Sequence, residues 1–167
     1  WGSNAPVFTD HVEHIRPNTA DINDKSDTAR VGDDFASSIG PGGVPGTKFT
    51  WPSGPHNMIL TQDKEAHWSK WLSIYRRHQL SKGSYLNLYD VVYDKPETHA
   101  IQKGDTLFYA CYAETWTGAV SLRGLQKRTY RVVDFENNRE LGTVKGPVAA
   151  LNATFSHHLL IACCPAD

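Results

Sequence analysis

The sequence has 167 residues, 40% of them hydrophobic and 21% charged, with 17 Lys and Arg against 18 Asp and Glu. That length holds one domain, or one and a fraction, and its near-neutral balance gives no electrostatic footprint for nucleic acid or for an anionic membrane surface. No apolar run approaches the roughly 20 residues of a membrane helix, no leader pattern is present, and Trp1 in place of an initiator Met reads as a processed product or a fragment.

Residues 1–60 carry too little periodic apolar sequence to fill a core of their own. Ala5-Pro6-Val7-Phe8 and His11-Val12-Glu13-His14-Ile15 read as short strands, and residues 16–32 as a polar, Asp-rich loop. Asp33-Asp34 then precedes the apolar run Phe35-Ala36-Ser37-Ser38-Ile39, and Gly and Pro recur through Gly46. This segment requires something else to pack against.

Residues 61–80 predict a helix, with its body over 62–79. Thr61 suits the N-cap, Asp63 and Glu65 the positive end, and Arg76, Arg77 and His78 the negative end. Trp68, Trp71, Leu72 and Tyr75 recur at i, i+3, i+4 and i+7, so an aromatic face is expected to be buried. Leu80-Ser81-Lys82-Gly83 ends the helix, and residues 85–93 read as a joining strand.

From Glu97 to Cys164 short apolar runs alternate with turn chemistry. Strands are predicted over 98–103, 106–114, 118–123, 129–135, 139–144, 151–155 and 158–164, with turns at Gly104-Asp105, Glu136-Asn137-Asn138 and Lys145-Gly146-Pro147. Leu107, Tyr109 and Cys111 alternate with Phe108, Ala110 and Tyr112, the period of a pleated strand. Strands at this spacing predict a small antiparallel β-sandwich.

Several clusters invite a chemical reading. His11-Val12-Glu13-His14 lacks the i, i+4 spacing that sets two His on one helical face around zinc, and in an extended strand His11 and Glu13 share one face and His14 takes the other. Asp21, Asn23, Asp24 and Asp27 do not make a calcium loop, because Ser26 and Gly32 stand where Gly and a bidentate Glu are needed. Gly40-Pro41-Gly42-Gly43-Val44-Pro45-Gly46 has no phosphate-loop order and reads as a bare loop. His157-His158 reads as a solvated turn. Cys111, Cys163 and Cys164 read as buried free thiols, with a Cys111 disulfide to one of the pair left open. Asn152-Ala153-Thr154 is a glycosylation sequon whose meaning depends on compartment. No metal or organic cofactor is implied, and neither a cytoplasmic nor a secreted location is excluded.

The run Phe35-Ala36-Ser37-Ser38-Ile39-Gly40, then Gly46-Thr47-Lys48-Phe49-Thr50-Trp51-Pro52, the helix start Leu60-Thr61-Gln62-Asp63-Lys64-Glu65, and Tyr93-Asp94-Lys95-Pro96-Glu97-Thr98-His99-Ala100-Ile101 together resemble the C-terminal end of α-galactosidase-like (melibiase) enzymes of glycoside hydrolase family 36. Leu107-Phe108-Tyr109-Ala110-Cys111-Tyr112-Ala113, Val120-Ser121-Leu122-Arg123-Gly124-Leu125 and Arg128-Thr129-Tyr130-Arg131-Val132-Val133-Asp134-Phe135 extend the resemblance, which rests on order and spacing rather than on any one piece.

The resemblance implies a mainly β chain in two parts. Residues 1–82 would be the end of an incomplete (β/α)8 barrel, with the seventh strand near residues 5–15, the eighth near 33–40 and the final helix over 62–79; residues 83–167 would be the antiparallel β-sandwich. It also implies a retaining glycosidase of α-galactosides whose two catalytic carboxylates lie on earlier strands, so this chain carries no catalytic residue. His11, Glu13, Asp33 and Asp34 would line the pocket rim as sugar contacts, and the rest of the barrel would be another chain or an oligomeric partner. The competing expectations are a stand-alone carbohydrate-binding sandwich, with Trp116, Tyr112 and Tyr130 exposed for stacking on sugar, and a structural module that docks through the aromatic face of the helix.

Overall fold

In the computed structural model, residues 33–44 and 62–166 are described. Two helices, α1 (Asp33–Ile39) and α2 (Gln62–His78), precede six strands: β1 (Ser84–Leu86), β2 (Glu97–Lys103), β3 (Thr106–Leu122), β4 (Thr129–Asp134), β5 (Arg139–Lys145) and β6 (Ala149–Pro165). Every pairing is antiparallel, in the order β1-β2-β3-β6-β4-β5. The turns fall where the sequence signals them: Gly104 and Asn138 adopt positive φ (59° and 52°) between β2 and β3 and between β4 and β5, a conformation that Gly and Asn tolerate best.

Two pairs of predicted strands are each one long strand. Residues 106–114 and 118–123 join as β3, and 151–155 and 158–164 as β6. The joint is a bulge: Ala113 pairs with His157 and Thr115 with Ser156, leaving Glu114 as the extra residue. A bulge bends a ladder without ending it. Beyond it β3 and β6 pair only with each other among the described strands, and this arm brings Val120, Leu122 and Leu151 into one apolar cluster with Leu107, Tyr109, Val132 and Ile161. The sheet thus covers its own first face, as a sandwich does.

The second face is covered by helices. Phe108, Ala110, Leu160, Ala162, Ile101 and Phe135 pack with Phe35, Ala36 and Ile39 of α1 and with Trp71 and Ile74 of α2. Burial on both sides explains why Leu107 to Cys111 is apolar at every position rather than at alternate ones.

Three expectations need correction. The stretch 33–40, expected as a barrel strand, is helix α1, because Phe35, Ala36 and Ile39 bury together on one helical face and Gly40 N–H closes the last turn on Ala36 O. The joining strand over 85–93 shrinks to β1, because Asp90 Oδ1 accepts from Val92 N and Tyr93 N and turns the chain. In α2 the sheet-facing side is centred on Trp71 and Ile74, while Leu72 and Tyr75 are half-buried at its flank; the Trp68 side chain and Thr61 lie outside the described residues. The helix ends where Gln79 turns left-handed at φ 44°.

Candidate functional site

The helices are anchored by close approach. A Cβ on Gly40 would stand 2.3 Å from Tyr112 Oη and 2.6 Å from Ala110 Cβ, and one on Gly42, at φ +91°, 2.8 Å from Ile101 Cδ1. Tyr112 O–H donates to Ala36 O at 2.7 Å. Gly40, Gly42 and Gly43 are buried, so what reads in sequence as a bare loop is a glycine seat on which the C-terminal end of α1 rests on the sheet. Asp33 and Asp34 are the first two residues of α1, at the end remote from that seat. Their side chains, and all of His11 and Glu13, lie outside the described residues.

A polar row crosses the second face at this end. Glu97 pairs in register with Tyr112, and Tyr112 with His158. At one edge His99 Nε2–H donates to Glu97 Oε1 at 2.9 Å and Tyr85 O–H donates to His99 Nδ1 at 2.9 Å; the tautomer follows from a carboxylate being an acceptor only. At the other side His158 Nε2–H donates to Glu136 Oε2 at 2.7 Å, and Lys70 of α2 donates to Glu136 Oε1 at 2.6 Å. Lys70 also stands 5.4 Å over the Trp71 ring, whose edge meets His158 at 5.9 Å.

Burial alone would push the Glu136 carboxyl up, but the hydrogen bonds from His158 and Lys70 override it and hold the group down to about 2. Glu97 is also held low, chiefly by the His99 hydrogen bond, and Asp94 chiefly by Arg123. A glycosidase acid needs its carboxyl raised toward neutrality. These three are latches, permanently anionic at neutral pH. His67 Nε2, Trp71 Nε1 and His158 Nδ1 are buried and find no hydrogen-bond partner among the described residues.

The aromatic row expected for sugar stacking is not presented. Tyr130 is fully buried and its hydroxyl accepts from Gln126 N and Arg128 Nε, Tyr112 is spent on Ala36, and Trp116 packs half-buried on the first core cluster. Among the described residues the exposed aromatics are Tyr85 and Tyr93. His158 is not a solvated turn: it lies within β6 and faces Glu136. All three cysteines are free, with Cys111 and Cys163 in the first core cluster and Cys164 against the second, as alternation requires. Sequence reasoning missed Lys70, Glu97, His99 and Glu136. Only Glu97 and His99 carried a signal, since residues two apart on a strand share a face.

No family model matches the chain. It is 32% identical over 111 residues to the A type blood α-D-galactosamine galactosaminidase of Flavonifractor plautii, an alignment covering 61% of this chain and 10% of that protein. Its structure is similar to that of an Anoxybacillus α-amylase, with a TM-score of 0.57 at 11% identity over 83% of this chain and 33% of that one. Mortierella vinacea α-galactosidase I gives a TM-score of 0.48 at 10% identity, covering 87% and 38% of the two chains. The chain therefore shares sequence with a tenth of a galactosaminidase and its fold with a third of a glycosyl hydrolase.

Proposed function

We propose that this chain is the C-terminal part of an α-galactosidase-like retaining glycoside hydrolase of family 36, supplying pocket-rim residues and an accessory β-domain to a catalytic barrel and carrying no catalytic residue itself. The observation that carries the reading is the 32% identity to a galactosaminidase. Two features of the structure support it. Among the described residues, the perturbed carboxyls of Asp94, Glu97 and Glu136 are held low, which suits a scaffold and not a proton donor. The stacking row of a stand-alone sugar-binding module is buried or spent internally. In the intact enzyme His11, Glu13, Asp33 and Asp34 would contact sugar hydroxyls, and the two catalytic carboxylates, about 5–5.5 Å apart in a retaining enzyme, would come from the remainder of the barrel as another chain or segment.

The test compares Trp1–Asp167 made alone with the polypeptide that carries it naturally, using chromogenic α-galactoside, α-galactosaminide and α-N-acetylgalactosaminide together with intact mass. Hydrolysis only by the larger species is the expected result, and it also reads the sugar preference. Turnover by the purified 167-residue chain with no companion overturns the assignment of catalysis to missing residues. Loss of hydrolysis of all three sugars in the larger species overturns the family.

A further inference from the structure

Helix α2 meets α1 and the sheet along a seam of residues spaced four, three and four apart, His67 against Phe35 of α1 and Trp71, Ile74 and His78 against the sheet. Such spacing keeps one narrow stripe of a helix against its partner. Trp71 and Ile74 fill the middle and are buried, and a histidine stands at each end. We propose that this seam is an acid-sensitive latch, in which protonation of His78 and His67 releases α2 from the sheet while the sheet itself stays folded. The proposal goes beyond the glycosidase reading and does not rest on it.

The geometry at each end is that of an imidazole held neutral. His67 meets Phe35 of α1 at 5.7 Å and Trp71 at 6.3 Å, edge to face. His78 meets Phe108 of β3 at 5.7 Å and Phe135, just past β4, at 4.8 Å. In both rings Nε2 is buried with no hydrogen-bond partner among the described residues. A neutral ring tolerates this, because a bare lone pair costs little against aromatic carbon, whereas an imidazolium places a charged N–H there with nothing to receive it. The charges facing the two ends differ. His67 has Lys70 on its own helix and Glu136 from the turn after β4, and His158 of β6 lies across Trp71. Among the described residues, the charges acting on His78 are cations: Arg77 on its own helix and Lys103 at the end of β2, whose ammonium donates to His78 O. Burial and then these cations hold His78 low; burial and Lys70 hold His67 low, partly offset by Glu136.

The sign follows directly. The docked helix binds fewer protons than the released one, so docking weakens as pH falls below the free histidine value of 6.5. Glu136 remains ionised throughout that range, so its ties to Lys70 and His158 persist and the release begins at the His78 end. That order separates the latch from general acid unfolding.

Hydrogen exchange of the full chain at pH 7.5 and 5.5, corrected for intrinsic exchange rates, tests this. The expected result is loss of protection over residues 74–79 at pH 5.5, with β3 and β6 still protected, and loss of that pH response in the variant His78→Phe. Equal protection of α2 at both pH values overturns the proposal, as does parallel loss across α2, β3 and β6, or an acid response unchanged in a folded His78→Phe,His67→Phe variant. Should the variants not fold, the native chain's exchange profile and the imidazole titrations of His67 and His78 by NMR decide it: titration at the free value in the native chain overturns it, and rings still neutral just below that value support it.

Discussion

Glu136 and His158 lie 2.7 Å apart across the junction of sheet and helix, with both side chains more than four-fifths buried. The same carboxylate takes the ammonium of Lys70 through its other oxygen, so one side chain ties the turn after β4 to β6 and to α2. Glu136→Gln should lower stability at pH 7 by about 2 kcal/mol, because it leaves the buried His158 N–H and the partly exposed Lys70 ammonium without their carboxylate. In a chain of this size that is roughly 4–8 °C in Tm. Lys70 is 44% exposed, and Lys70→Ala should cost under about 1 kcal/mol. Thermal melts of the two variants check the ratio.

The same carboxyl sets an acid limb. Its folded value is about 2 against 4.5 when unfolded, so its contribution is fully present above about pH 4.5 and is lost as pH falls toward 2. Urea melts from pH 5 to 2.5 should show a shallower decline in stability for Glu136→Gln than for the native chain. An identical slope in both would remove Glu136 from the account of acid unfolding.

Gly40 permits the approach of α1 to β3. Gly40→Ala would place a methyl 2.3 Å from Tyr112 Oη and 2.9 Å from Ala36 O, and part of that clash is with backbone. The substitution should cost about 1–3 kcal/mol as overpacking and should raise hydrogen exchange in α1 before it does so in β6. A tyrosine variant, Tyr112→Phe, relieves only the hydroxyl contact and should rescue it in part.

The strands were legible because period-2 alternation and turn residues agree from Glu97 onward. Gly104-Asp105 and Glu136-Asn137-Asn138 fall between strands as read. What the pattern does not carry is the bulge: Glu114 and the Thr115-Trp116-Thr117 run look like a break, and the ladder continues through them because an extra residue bends a strand at little cost. The strand that the resemblance implies at 33–40 is helix α1, and Phe35, Ala36 and Ile39 are too few to separate a helical from an extended apolar run by period. Of the expected rim residues only Asp33 and Asp34 are on a described element, as backbone at the start of α1. The ion pairs of Glu136 were invisible because Lys70 and Glu136 are 66 positions apart, and only the fold brings them together.

Burial pushes the Cys111 and Cys163 thiols up to about 12, while Cys164 is half-buried on the opposite face. The thiolate is the reactive form. A disulfide-exchange reagent at pH 8 should therefore label Cys164 first in the native chain and reach Cys111 and Cys163 only on denaturation. Mass spectrometry of the labelled peptides reads this; early labelling of Cys111 would mean that the first core cluster opens on the labelling timescale.

The loop between β1 and β2 is tied to the end of β3 by Arg123. Arg123 donates to both oxygens of Asp94, at 2.7 and 2.8 Å, and to Leu88 O at 2.9 Å, and its guanidinium lies 4.8 Å over the Tyr89 ring. Tyr89 O–H in turn donates to Ser121 O and accepts from Arg123 N, each at 2.8 Å. The loop presents Val92 and Tyr93, at 65% and 82% exposure, so it keeps its shape without burying its tip. Arg123→Lys retains the charge but loses the two-pronged bond and the stacking. Limited proteolysis should then cut within residues 89–95 faster than in the native chain, with Tm nearly unchanged because the pair is at the surface. Tyr89→Phe should behave oppositely: the lost hydroxyl leaves Ser121 O and Arg123 N unpaired beside the core, at about 1–2 kcal/mol, and lowers Tm along with loop protection. Equal Tm changes in the two variants would show that the loop and the core open as one unit.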